Sequence, residues 1–490
     1  MSLDKVEKGL FRGGCAPKEG SLGMLLDEFG AQVVVGHPTF RNQDNIGQEL
    51  AKGIKAANEV YSGQKVAFVV SDGTCRMDSP DESTMIAALD GASRTLGELR
   101  SEARDHILVA ISPYDGYRGD RTPGKGSALK LIFDELAFCP TVRKVILLDG
   151  DLRNDLKPWF DVFLSVEKAH RAHRGQRDFF ITARYARHFV DASLTRFVVG
   201  PLTTLMGEYV PGGISGDIVL SAGAVRHERD AQWDEHRRRY GTDIATTFDN
   251  IADPETDIYE VYLGAKLHDI TDEAKLSVMP REVIGSALTR LLHYENQDGR
   301  VNRQIREEIT LKRPYVWGPE RTVIDFIDPG YTDVFDVDRK RATLVEKFPP
   351  YQKAIEKVLN PETLATLRQA YARMTNVSGD DSDPFEFLGV SRDLWIDILY
   401  QSIAFLLSSQ DIETASGCLN YLYTAAFLEF CREKINSLGA QTFGEVRLMQ
   451  KSLGVPAHQA QSFYKSEVDD IVDRLAQAFY KGRRKILSYQ

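Results

Sequence analysis

Lys144-Val145-Ile146-Leu147-Leu148-Asp149-Gly150-Asp151-Leu152 is the stretch on which the reading of this chain turns. A continuous apolar run of this kind reads as a strand covered on both faces, the mark of a mainly parallel α/β sheet. It stops on two aspartates separated by one glycine. In such sheets ligands bind beyond the carboxyl ends of the strands, so the acidic pair stands where chemistry is expected to collect. Hard oxygen ligands suit Mg²⁺ or Mn²⁺, which also favour phosphate oxygens and water. By itself, however, Asp-x-Asp is as common in a solvated turn.

On either side of this stretch the same texture repeats. Gln32–Gly36, Val66–Val70 and Ile107–Ala110 read as further strands, with Phe179–Thr182 and Tyr259–Leu263 beyond. Helical patterns lie between them, near Ile46–Tyr61 and Thr84–Leu96. The expected fold is a Rossmann-type, mainly parallel sheet flanked by helices. From about residue 335 the pattern changes to long amphipathic stretches, at Thr363–Arg373, Leu394–Ser408, Ile412–Ser437 and Ser466–Lys481. The division this suggests is an N-terminal extension over 1–29, a catalytic domain over 30–280, a connecting segment over 281–334 and a helical region over 335–490. The run Val377–Pro384 is the clearest loop; its aspartates lack the glutamate spacing of a helix–loop–helix calcium site.

The chain has 490 residues, of which 42% are hydrophobic and 27% charged, with a formal net charge of −10. That balance argues against a general nucleic-acid binder. No apolar run approaches the length of a membrane span, and the polar start, Met1-Ser2-Leu3-Asp4-Lys5, lacks a secretion core. Five scattered cysteines fit reduced thiols, and a cytoplasmic enzyme is the expectation. The basic runs His236–Arg239 and Lys481–Lys485 read as solvated helix faces or ends, as does His170-Arg171-Ala172-His173-Arg174.

Thr122-Pro123-Gly124-Lys125-Gly126-Ser127 sets a lysine between glycines at the start of a helix. Glycines let backbone approach a ligand, and a helix N-terminus with an ammonium favours anions. Gly126 stands where an ATPase-type loop needs a metal-binding hydroxyl, so that motif is rejected. Downstream, Leu263-Gly264-Ala265-Lys266-Leu267-His268 follows another strand. His268 reads either as an imidazole ligand completing a carboxylate metal site or as a surface histidine.

Six pieces in order carry a resemblance: Val35–Asn42; Val70–Thr74; Pro123–Leu129; Asp149–Leu152; Tyr185–His188 with Leu194-Thr195 and Pro201–Thr203; and Tyr240–Ile244 with Lys266–His268. Together they resemble the retaining nucleotide-sugar glycosyltransferases of GT-A fold, the group of the mannosylglycerate, glucosyl-3-phosphoglycerate and glucosylglycerate synthases. The resemblance covers about residues 30 to 280. It implies that Pro38, Thr39, Phe40 and Asn42 line the nucleoside pocket, with Asp72 facing base or ribose. Lys125 would reach the diphosphate. Asp149 would hold the ribose or a metal-bound water, while Asp151 and His268 bind Mg²⁺ or Mn²⁺. Asp243 would stand near the acceptor or the anomeric centre. Arg187 would hold a small acidic acceptor such as glycerate or 3-phosphoglycerate, with Thr195 a second candidate for the same pocket. Ser215-Gly216-Asp217 falls where the group carries a glutamate, so Asp217 either binds sugar hydroxyls or closes a tight loop. His37, unusual before the proline, could alter contacts to the base.

The expected activity is therefore transfer of mannose or glucose from a GDP- or UDP-sugar. Two rivals stand beside it: a nucleotidyltransferase, which would release pyrophosphate, and a non-catalytic sugar-nucleotide-binding protein. The helical region reads as a lid or a homodimer contact, because apolar helix faces need a partner.

Overall fold

All six apolar runs are strands of one ten-stranded sheet in the computed structural model of the chain. The structure describes residues 3–14, 19–74, 81–114, 122–186, 193–268, 273–317, 342–344, 346–375, 390–431 and 473–490. The strands are β1 (Asp4–Glu7), β2 (Leu10–Arg12), β3 (Val33–Thr39), β4 (Val66–Asp72), β5 (Ile107–Pro113), β6 (Lys144–Leu147), β7 (Asp178–Ala186), β8 (Ile218–Ser221), β9 (Thr256–Ala265) and β10 (Tyr315–Trp317). Their order across the sheet is β1-β2-β5-β4-β3-β6-β8-β7-β9-β10.

The centre of the sheet is parallel. Val33 of β3 stands opposite Val66 of β4 on one side and Lys144 of β6 on the other. Every residue of β4 and β5 is buried, which is why these strands show no polar alternation in the sequence. Val33, Val35, Phe68, Val70, Val109 and Ile111 share one core with Leu50 and Ile54 of the helix Ile46–Val60 and Phe160 and Phe163 of the helix Lys157–Arg174. The helix Lys125–Glu135 packs on β3 and β4. β8 runs antiparallel between β6 and β7.

The path of the chain creates a crevice. It lays down β3, β4 and β5 in one direction, then returns past β3 to place β6 on its other side. At such a reversal the loops leaving β3 and β6 diverge, and a ligand fits between them.

Two compact units divide the chain. The sheet-bearing unit takes residues 1–185, 214–275 and 314–322; the helical unit takes 186–213, 276–313 and 323–490. Residues before 30, set apart on the sequence as an extension, supply β1, β2 and the helix Ser21–Phe29. The segment read as a connector carries β10 and the helix Arg300–Arg306. In the helical unit, Trp395 is fully buried and donates its indole N–H to the Phe197 carbonyl at 2.9 Å. Phe197 is ringed by Trp395, Tyr423, Phe427 and Phe430. The expected helices appear as Pro361–Thr375, Arg392–Ser409, 412–431 and 473–482. The loop 377–384 lies outside the described residues. No helix among the described residues is long and apolar enough to cross a membrane.

The basic runs are not simply solvated. His170 is buried, with Nδ1 3.0 Å from the Tyr259 hydroxyl and Nε2 2.8 Å from the Arg177 carbonyl. Arg483 is buried too, donating to the carbonyls of Gln304 and Glu307. Arg237 and Arg238 also turn inward. Local composition shows the charge of such runs but not the carbonyls and carboxylates that draw them in.

Candidate active site

At the carboxyl ends of β3 and β4, Thr39 and Asp72 sit side by side in register. Thr39 donates to Asp72 Oδ1 at 3.0 Å, and Thr74 donates through Oγ1 at 2.9 Å and through its backbone N–H at 3.0 Å. Asp72 is fully buried, and burial pushes its carboxyl above the ordinary value. The structure therefore turns it inward, to fix the Thr39–Thr74 corner. Next to this corner Phe40 is 42% exposed, and the Arg41 guanidinium lies 5.3 Å from its ring centre. Asn42 steadies the turn by accepting the Phe40 N–H at 2.7 Å.

The Asp149-Gly150-Asp151 turn leaves β6 directly alongside. A Cβ on Gly150 would lie 2.9 Å from Thr39 Cγ2 and 3.0 Å from the Pro38 carbonyl. The two sets of residues read from the sequence as base-binding and metal-binding are thus in contact. From behind, Glu49 accepts the Leu152 N–H at 3.1 Å, and His37 Nδ1 stands 2.9 Å from Glu49 Oε1. His37 is wholly buried with its ring stacked on Phe68, so it cannot touch a base. Burial raises Glu49 to about 7 against the opposing pull of His37.

Asp149 is gripped twice. Lys125 Nζ lies 2.7 Å from Oδ1 and Lys266 Nζ 2.5 Å from Oδ2. Lys125 also meets Asp243 Oδ2 at 2.9 Å, and Lys266 meets Asp217 Oδ2 at 2.6 Å. Burial opposes the charge on Asp149, but the two ammonium groups outweigh it and hold the carboxyl well below its usual range. Burial likewise opposes the charge on Lys125, and Asp149 and Asp243 overcome it and raise its pKa. Asp243 is itself raised, by burial first, with Lys125 pulling the other way.

Asp217 is fully buried and saturated. It accepts the Asp149 N–H at 3.0 Å and the Tyr185 hydroxyl at 2.5 Å, besides meeting Lys266. Gly216 has φ +79°, and a Cβ there would lie 2.4 Å from Asp149 Oδ2. Only glycine satisfies both demands.

Asp151 and His268 come together. Leu152 and His268 form an antiparallel bridge, and Arg153 donates its N–H to the Leu267 carbonyl at 2.8 Å. Burial and then the charge of Asp149 raise the Asp151 carboxyl, while His268 opposes the shift. Among the described residues, no three His, Cys, Asp or Glu side chains form a metal-holding group by themselves. One carboxylate and one imidazole do fit Mg²⁺ or Mn²⁺ that takes its other ligands from phosphate and water.

The glycines beside Lys125 have a use the sequence did not reveal. A Cβ on Gly126 would lie 1.9 Å from the Arg237 carbonyl, and one on Gly124 2.6 Å from the Arg238 carbonyl. They admit the protein's own backbone. Arg187 lies outside the described residues, and Thr195 belongs to the helical unit, at the start of a π-helical turn. Lys266, Tyr185 and Glu49 join the site as partners only in the fold; along the sequence the one signal is the place of Lys266, two residues before His268.

No family model matches the chain, and no curated protein matches its sequence. Three solved structures from Mycobacterium tuberculosis can be set beside it. The one with Mn²⁺, UDP and glucosyl-3-phosphoglycerate is 19% identical, covering 57% of this chain and 87% of that one, with a TM-score of 0.38. The one with Mn²⁺, UDP-glucose and glycerol 3-phosphate is 20% identical, with coverage of 57% and 87% and a TM-score of 0.37. The one with Mg²⁺ and UDP is 18% identical, with coverage of 57% and 86% and a TM-score of 0.37. All three are glucosyl-3-phosphoglycerate synthase, and this chain is similar to each of them at that level.

Proposed function

We propose that the chain is a retaining, metal-dependent hexosyltransferase that moves glucose or mannose from a UDP- or GDP-sugar to a small acidic acceptor such as D-glycerate or 3-phosphoglycerate. The observation that carries this reading is the charge arrangement at the crevice between β3 and β6. Asp149, Asp151, Asp217 and Asp243 face the ammonium groups of Lys125 and Lys266. Counted formally, four carboxylates stand against two ammonium groups, an excess of negative charge that one divalent cation would balance as a diphosphate approaches.

Asp151 and His268 would hold that cation, which when bound neutralises charge on the departing diphosphate. Lys125, at the first residue of its helix, would present an ammonium to the same anion. Lys266 adds a second ammonium. Pro38, Thr39, Phe40 and Asn42 supply the nucleoside wall, with the exposed ring of Phe40 as its apolar face. We assign Asp72 and Asp217 to shaping this wall and anchoring Asp149, and Asp243 to the acceptor side through its contact with Lys125. Arg187 and Thr195 remain the acceptor-binding candidates. In the reaction the bond from the anomeric carbon to the diphosphate oxygen breaks, and the acceptor oxygen bonds to that carbon on the same face. The acceptor proton passes to the leaving diphosphate.

A screen of UDP- and GDP-linked glucose and mannose against glycerate and 3-phosphoglycerate, with Mn²⁺ or Mg²⁺, tests this by mass spectrometry. The expected products are a hexosylated acid and free nucleoside diphosphate. Pyrophosphate release from a nucleoside triphosphate and a sugar phosphate would move the chain to the nucleotidyltransferases. Donor binding without turnover across the panel would make it a binding protein.

A further inference from the structure

The run His236-Arg237-Arg238-Arg239 has no part in the proposed chemistry, yet Arg237 is one of the largest side chains to be fully buried. Its guanidinium sits between two carboxylates, with Nη2 2.5 Å from Glu228 Oε2 and Nη1 2.7 Å from Asp249 Oδ2. Nη1 also donates to the Gln232 carbonyl at 3.1 Å, and the ring centre of Trp233 lies 4.4 Å from the guanidinium carbon. Glu228 in turn accepts from Thr246 Oγ1 at 2.7 Å and Asn250 Nδ2 at 3.2 Å.

These contacts close a circuit. Thr246, Asp249 and Asn250 lie on the helix Thr242–Ala252, whose first turn carries Asp243. Gly126 donates its N–H to the Arg239 carbonyl at 3.1 Å, and the close approach of Gly124 and Gly126 to residues 237 and 238 presses that backbone onto the start of the Lys125 helix. Asp243 and Lys125 then meet at 2.9 Å, completing the ring. Lys125 and Asp243 come from separate helices, and Arg237 fastens one end of each.

We infer that Arg237 is a positioning residue for the Lys125–Asp243 pair, setting the distance between them through Glu228 and Asp249 on one side and the Gly126–Arg239 contact on the other. Its consequence for turnover rests on the proposed transferase reading; its consequence for Lys125 does not. The guanidinium is suited to this because its planar fork sends separate N–H groups to the two carboxylates in a fixed geometry, which the single nitrogen of a lysine does not impose.

The test uses the full chain and an amine-reactive acyl reagent, with modification of Lys125 and Lys266 followed separately by mass spectrometry. In Arg237→Lys, Lys125 is expected to react about fivefold faster while Lys266 stays within about twofold of wild type, since only the coupled site is released. Asp249→Asn, which keeps the guanidinium, should shift Lys125 the same way by less and covers the case of an unfolded Arg237→Lys. Equal acceleration at both lysines, or no change at either in a folded variant, would overturn the inference. In turnover, Arg237→Lys should lower kcat about tenfold in the native background and less than about twofold in Lys125→Ala. Fully additive losses would count against the role. Selective exposure of Lys125 in a chain that transfers no sugar would sink the transferase reading and leave this inference standing.

Discussion

Lys266 and Asp149 meet at 2.5 Å although one follows β9 and the other β6, with β8 and β7 between those strands in the sheet. With Lys125 on its other oxygen, Asp149 has a cation on each side. A carboxylate so engaged already has its charge balanced. In the proposed reading the Asp-x-Asp pair is therefore divided: Asp149 organises the two lysines, and Asp151 would take the cation.

Removing Lys266 should therefore damage more than one interaction. Lys266→Met leaves Asp217 without its ammonium and frees Asp149 on one side. Loss of one such charge-stabilising group is expected to lower donor kcat/KM by about 100-fold, with partial recovery in Lys266→Arg. Steady-state kinetics at saturating acceptor measure this, and wild-type values in Lys266→Met would rule the role out.

Asp217 offers a choice between anchor and sugar ligand. As an anchor, its loss in Asp217→Ala strands the Asp149 N–H and the Tyr185 hydroxyl and unbalances Lys266. Breaking such a buried pair costs about 3 kcal/mol, seen as a lower Tm, and Asp217→Asn should cost less because it still accepts. An unchanged Tm with a raised donor KM would instead support contact with sugar hydroxyls.

Gly216→Ala sets a Cβ 2.4 Å from Asp149 Oδ2 at a φ of +79°. The backbone strain alone is worth about 1–2 kcal/mol. Displacement of Asp149 should reduce kcat well beyond what the lost stability explains. Circular-dichroism melts and kinetics on the same preparation separate the two, and a stable, fully active variant would contradict the packing described.

Glu49 makes stability depend on pH. Its carboxyl titrates at about 7 in the folded chain against 4.5 when unperturbed, because burial penalises the charge. A raised carboxyl favours folding fully below the unfolded value, and that contribution is lost as pH rises through the folded one. Between about pH 4.5 and 7 wild type should lose up to about 3 kcal/mol relative to Glu49→Gln, whose side chain does not titrate. Thermal melts of both at pH 5 and pH 8 check the sign: a gap that moves in favour of wild type on raising the pH would be the wrong way round.

How much of this was legible in the sequence depended on the physical cause of each feature. β3 to β6 were readable because strands buried on both faces must be apolar throughout. β1, β2 and β10 have three or four residues each, several of them solvent-facing, and so carry no periodic signal. Asp149, Asp151 and Lys125 announced themselves by standing at element ends. The inward turn of Asp72 and Asp217 did not, since it depends on partners such as Thr39 and Tyr185, more than thirty residues away along the chain. Arg237 was masked in the same way: a basic run looks solvated until the turn that brings Glu228 and Asp249 around it is known.

The most direct measurement is calorimetric titration of UDP and GDP into the wild-type chain and Asp151→Ala, each with and without MnCl₂. The account predicts that Mn²⁺ tightens binding of at least one nucleotide to wild type by about 10- to 100-fold, and that a folded Asp151→Ala loses this gain. Metal-independent nucleotide binding in wild type, or an equal metal effect in Asp151→Ala, would contradict it.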